Sequence, residues 1–191
     1  PAKLPVMRRP GPTRLAHLLV LAAIMLIGFA LRVHALDGRD LWGDEAASLD
    51  IITDGWRAVF EPARETHPPL HRALYKPWVA WVGQKPLFAL RYAPMLAGVL
   101  VVPLTYDLAR RLFGRGPGRP AARLAGLLAA VGPLYVYYAQ EFRTYSLFTA
   151  LAVASVGAFV ALTRSGARLR WAVYLGATLA AIYTHYLAFW L

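Results

Sequence analysis

Not one of the 191 residues is cysteine. Disulfides, thiol nucleophiles and cysteine-based metal sites are therefore excluded, while the compartment stays open. Charge is also scarce: 16% of residues are charged and 58% hydrophobic, too apolar a balance for an ordinary water-soluble domain. Acids are scarcer still, 10 against 21 Lys and Arg, and eight of them fall between Asp37 and Glu65. Internal repeats and low-complexity tracts are missing as well.

What the chain does have is a series of uncharged runs long enough to cross a bilayer, which takes roughly 20 helical residues. The expected fold class is all-α and integral to the membrane. A net charge of +11 raises the question of nucleic acid, but its distribution argues against such a partner. Lys3, Arg8, Arg9 and Arg14 form one basic cluster, Arg110, Arg111, Arg115, Arg119 and Arg123 a second, and Arg164, Arg168 and Arg170 a third. Charge segregated to segment ends is what membrane topology produces, because cytoplasmic loops collect Lys and Arg.

Threading follows from that rule. The first span is expected over about 15–36, with basic residues before it and acids after it, which puts the amino end in the cytoplasm. A cleaved signal peptide is the rival reading, since Val33-His34-Ala35 has some likeness to a cleavage site. The run is long for a signal peptide and contains Arg32, which favours an uncleaved helix. Further spans are expected at about 87–108, 121–138, 145–162 and 171–191. LHRALYKPWVAWVG, residues 70–83, is short, charged and interrupted by Pro77. If it crossed the membrane, RRLFGRGPGR would lie outside with the acids. It reads instead as an amphipathic interfacial helix, with Trp78 and Trp81 at headgroup depth, inside a long extracytoplasmic loop, 37–86. GRGPGRP reads as a cytoplasmic turn. The chain opens on Pro1 and ends within an apolar run, so it reads as the amino-terminal piece of a larger protein.

On that threading several polar groups share the outer face. Asp44 and Glu45, in LWGDEAASLD, sit among small and apolar neighbours; they serve either as acids favouring a helix start or as a carboxylate confined enough to act as a base. His67 precedes two prolines in HPPL, either as a rigid corner or as an imidazole that binds phosphate. In YYAQEFRTY, Gln140 and Arg143 are expected on one helical face and Glu141 and Tyr145 on another. Arg143 begins the fourth span, where helix N–H groups and a guanidinium suit a phosphate; lipid headgroups or Glu141 are its alternative partners. Arg91 is a similar case, and His185 between two tyrosines reads by itself as a packed histidine.

The order of these blocks resembles the GT-C superfamily of membrane glycosyltransferases, the protein O-mannosyltransferase and aminoarabinose-transferase-like group. The resemblance runs through WGDEA, HPPL, LRYAPMLAGVL, DLARRLFG, LYVYYAQEFRTYSL and THYLAF. It implies a GT-C-type multi-span helical bundle and a polyprenyl-phosphate sugar donor. It also implies inversion at the anomeric carbon, and an acceptor that is a protein, lipid or glycan. By the same resemblance Asp44, with its neighbour Glu45, supplies the catalytic carboxylate. His67, Arg143, Arg91 and Gln140 approach the donor phosphate, and Tyr145 and His185 contact acceptor or donor. No cofactor is required; some relatives use a divalent metal at the acidic loop, which here would fall to Asp44 and Glu45. A bacterial inner membrane is the implied location, with membrane lipids as neighbours. The rival is a transporter or flippase without transferase activity, which would place polar or broken segments at mid-membrane. A non-enzymatic scaffold explains the topology but not the convergence.

Overall fold

A computed structural model describes residues 12–114, 118–164 and 167–191. Lys3, Arg8, Arg9 and Arg115 lie outside the described residues, as does the middle of the GRGPGRP turn. Among the described residues every regular element is helical: α1 (Pro12–Val33), α2 (Gly43–Thr53), α3 (Trp56–Phe60), α4 (Leu70–Val82), α5 (Leu87–Phe113), α6 (Gly118–Val131), α7 (Pro133–Ala139), α8 (Tyr145–Leu162) and α9 (Arg168–Ile182), with single 3-10 turns at Pro62–Arg64 and Tyr186–Trp190.

Helix α5 is the axis of the bundle: α6 and α8 pack along it, α1 leans on α5 and α6, and α9 packs on α8. The core between them is built of small and branched residues, Ile24, Val101, Val102, Ala129, Ala130 and Ala150, whose short side chains let the helices approach closely. Among the described residues three helices are long and apolar enough to cross a membrane: 15–33 within α1, 87–113 and 145–162. The fold is thus that of an all-α membrane protein.

Two expected spans differ from the structure. Residues 121–138 form two helices, α6 and α7, bent by 52° at Gly132, and together they make up a fourth candidate span. The cause is local. Pro133 has no N–H to give the carbonyl four residues back, at Ala129. Arg32 fills that vacancy: its guanidinium, fully buried, donates to the carbonyls of Ala129 (2.8 Å), Ala130 (2.8 Å) and Gly28 (2.9 Å). The last expected span, 171–191, is a helix only to Ile182, and its 15 residues fall short of the roughly 20 a crossing requires. Thr184 and His185 leave the helix, and the chain turns into the short 3-10 segment.

Close packing between α5 and α7 depends on Gly98. A Cβ there would lie 2.4 Å from the Ala139 Cβ. Gly98→Ala is therefore expected to push the two helices apart and cost about 1–3 kcal/mol, read as a lowered melting temperature in detergent.

The 37–86 region folds over one end of the bundle. Leu49 and Ile52 of α2 meet Tyr75 and Val79 of α4, and this layer closes on Leu90 and Phe142. Residues Leu70–Val82 form a separate 13-residue helix, with Trp81 78% exposed. Its neighbour Trp78 donates to the Ala89 carbonyl at 2.9 Å and so pins α4 to the start of α5.

Candidate active site

The polar residues singled out by the sequence all lie at this end, because α1 and α9 finish here while α5 and α8 begin here. They fall into two adjoining groups.

The first group is closed. Glu45 is fully buried on the first turn of α2 and grips Arg91 through both oxygens: Nε donates to Oε1 at 3.0 Å and Nη2 to Oε2 at 2.7 Å. Glu45 also accepts the backbone N–H groups of Phe142 (2.6 Å) and Trp42 (3.4 Å). Arg91 spends its remaining donors on the carbonyls of Leu36 (3.1 Å), Arg39 (2.7 Å) and Asp40 (3.0 Å). The pair thus ties the exit of α1, the start of α2, α5 and the 140–144 segment into one knot. Glu45 and Asp44 are adjacent in sequence but do not face one another.

The second group is partly open. Asp44, with 51% of its side chain exposed, sits beside the buried Arg143, whose Nη2 is 3.7 Å from Oδ2. It is not the confined carboxylate that its small neighbours suggested. Arg143 Nη1 donates to the Asp44 carbonyl (3.1 Å), to Ser48 Oγ (2.5 Å) and to Glu65 Oε2 (2.9 Å). Its partner carboxylate is thus Glu65, not Glu141. Arg72, also buried, reaches within 4.0 Å of Glu65 and donates to the His67 carbonyl at 3.1 Å. His67 and Arg143 together hold the Glu65 carboxyl well below the usual carboxylate range, so it stays ionised.

His185 joins this group through the HPPL corner. The first free N–H of α4, on Leu70, donates to the Tyr183 carbonyl at the end of α9 (2.9 Å), which brings His67 and His185 together. Their Nε2 atoms are 3.2 Å apart. The His185 tautomer follows from a donor that cannot change roles. The Leu187 backbone N–H donates to His185 Nδ1 at 3.1 Å, so His185 carries its proton on Nε2 and donates to His67 Nε2. His67 Nδ1 lies 3.3 Å from Glu65 Oε1 and 3.4 Å from the Arg143 Nη2 donor. The result is a continuous run of contacts from the Leu187 N–H through His185 and His67 to Glu65.

Gln140 and Arg143 do not share a helical face. Residues 140–144 are a non-helical break between α7 and α8, and the two side chains part company there. Gln140 caps α1, donating to the carbonyls of Arg32 (3.2 Å) and His34 (2.8 Å). Glu141 is buried, and Tyr145 packs on Tyr138 with its ring 6.2 Å from that of His185. Glu65, Arg72 and Ser48 are the site residues that sequence reasoning missed; the only signal for Glu65 was its place two residues before His67. No group of three metal-binding side chains occurs among the described residues.

A cavity of about 350 Å³ opens beside His67, lined by Phe60, Pro62, Glu65, Arg72, Tyr186 and Phe189 among others. Polar groups thus stand at one wall of an otherwise apolar recess, the usual build of a small-molecule site.

A sequence profile described as dolichyl-phosphate-mannose-protein mannosyltransferase matches residues 66–191. The chain belongs to this family. It is a GT-C-type membrane glycosyltransferase, of a family that takes its sugar from polyprenyl-phosphate donors. The match takes in His67, Arg91, Arg143 and His185 and begins after Asp44 and Glu45. No curated protein matches the chain, and no solved structure does.

Below this site His71 is fully buried on α4, with neither ring nitrogen hydrogen-bonded among the described residues. Burial, reinforced by Arg72 and Arg143, pushes its pKa down to about 3 from an ordinary 6.5. Folded His71 therefore stays neutral where the unfolded residue takes a proton. Its contribution is complete above pH 6.5 and is lost as pH falls from there towards 3. Melting temperature is expected to fall between pH 6.5 and 5, before most carboxylates titrate, and His71→Leu is expected to flatten that part of the curve.

Proposed function

We propose that this glycosyltransferase moves a hexose, mannose by family, from a polyprenyl-phosphate donor to an acceptor hydroxyl on the extracytoplasmic side, with inversion. The supporting observation is the arrangement of Asp44: a solvent-open carboxylate beside a buried Arg143, next to His67, His185 and an apolar recess. Asp44 takes the acceptor proton as its oxygen attacks C1; the C1–O bond to phosphate breaks, and the phosphate leaves with the electron pair. Arg143, His67 and Arg72 hold the charge that develops on it. Glu65 pairs with these cations, and the donor phosphate takes over part of its contacts. The prenyl chain lies against Phe60, Pro62 and Phe189. Glu45, Arg91 and Gln140 serve by fixing the backbone that carries these groups, and Tyr145 and His185 line the approach. The amino end is cytoplasmic, the membrane a bacterial inner membrane, the acceptor a protein.

The transporter reading draws its support from the 52° break in α6–α7. Arg32, however, plugs that break, so its carbonyls do not line a passage. Membranes containing the protein, given radiolabelled polyprenyl-phosphate mannose and a protein acceptor, are expected to form labelled glycoprotein. If the labelled lipid changes leaflets and no sugar–acceptor bond forms, the transporter reading replaces this one.

A further inference from the structure

At the opposite end of the bundle, Arg110 stands 19 residues beyond Arg91 on α5, roughly 28 Å away at 1.5 Å per residue. There α1, α5 and α6 enclose a groove of about 440 Å³ lined by His17, Leu18, Leu21, Tyr106, Arg110 and Arg119, with Pro103 and Asp107. We propose that this groove binds an anionic phospholipid as a resident ligand.

The charge at the rim calls for an anion. Among the described residues Asp107 is the one carboxylate lining the groove, and two guanidinium groups share it, Arg110 at 2.6 Å and Arg111. Arg119 stands on the same rim, and Arg123 lies 3.5 Å from His17 beside it. Cationic charge therefore exceeds anionic charge around the opening, and Arg110 keeps 55% of its side chain exposed.

The floor calls for a chain rather than a soluble anion. Leu18 is 58% exposed, and with Leu21 and Pro103 it presents an apolar wall below the arginines. A free phosphate or nucleotide would satisfy the rim and leave that wall uncovered. A phospholipid covers both, its phosphate between Arg110 and Arg119 and an acyl chain against Leu18 and Leu21. The volume lies within the range of small-molecule sites, and basic recesses between membrane helices are suited to acidic headgroups.

The test is native mass spectrometry of the full protein extracted from vesicles of equal phosphatidylglycerol and phosphatidylcholine. Retained lipid is expected to favour phosphatidylglycerol about tenfold, and the preference should shrink as ionic strength rises. In Arg110→Gln/Arg119→Gln it should fall to twofold or less, while Lys76→Gln/Lys85→Gln, which removes two cations from the far end, keeps it. If the double variant does not fold, Arg119→Gln alone, an exposed position, is expected to reduce the preference severalfold. Equal retention of both lipids, a preference insensitive to salt, or one unchanged in the arginine variants overturns the proposal.

Discussion

Asp44→Asn is expected to lower the turnover number for sugar transfer by about a hundred- to ten-thousand-fold, the usual worth of a positioned general base. Asparagine has nearly the shape of aspartate and cannot take a proton. The substitution also spares the scaffold. What Arg143 receives from residue 44 at hydrogen-bond distance is its main-chain carbonyl, at 3.1 Å, which asparagine retains. The lost carboxylate is half exposed and 3.7 Å from Arg143, so stability is expected to change by no more than about 0.5 kcal/mol. The measurement is initial rate against donor concentration in membranes with matched protein levels, plus a melting curve in detergent. An unchanged rate removes Asp44 from the chemistry. A rate lost together with the fold gives it a structural role instead.

Much of this was legible beforehand because membrane proteins write their topology in composition. The long apolar runs match α1, α5 and α8, and the short, charged stretch at 70–83 forms a helix of its own. The convergence of Asp44, His67, Arg143 and His185 followed from the same threading, since helices that alternate in direction bring their ends together. Pairing was not legible. Asp44 and Glu45 look alike in the sequence, yet a helix turn of about 100° per residue sends neighbours to different sides, one towards solvent and one onto Arg91. Gln140 and Arg143 parted because the break at 140–144 replaced the helix on which the i, i+3 argument relied, and Arg143 turned to Glu65, brought in from another segment. Arg32 illustrates a longer reach: it counted only as an oddity within the first span, and its purpose lies in carbonyls freed by Pro133, about a hundred residues on. Such partners are set by tertiary placement, which periodicity does not encode.

Arg91→Met is expected to be the most destabilising single change at this end of the molecule. It leaves Glu45 buried without its cation and strands the carbonyls of Leu36, Arg39 and Asp40. Removing one member of a buried pair costs about 3–5 kcal/mol, which for a chain of this size corresponds to a melting temperature lower by roughly 6–20 °C. Glu45→Gln should cost less, because glutamine still accepts the Phe142 N–H and Arg91 keeps its three carbonyls. Replacing both, as Glu45→Leu with Arg91→Met, should recover part of the loss, since no buried charge then stands alone. A double-mutant cycle on melting free energies isolates that coupling. The contrast with Asp44 separates the two carboxylates of the WGDEA block. Arg91→Met and Glu45→Gln lower activity in proportion to the folded fraction, with the turnover of folded protein nearly preserved, whereas Asp44→Asn lowers the turnover of protein that remains folded. Should Arg91→Met instead keep its melting temperature and lose affinity for the polyprenyl-phosphate donor, Arg91 meets the donor phosphate, and the knot it forms with Glu45 is incidental to folding.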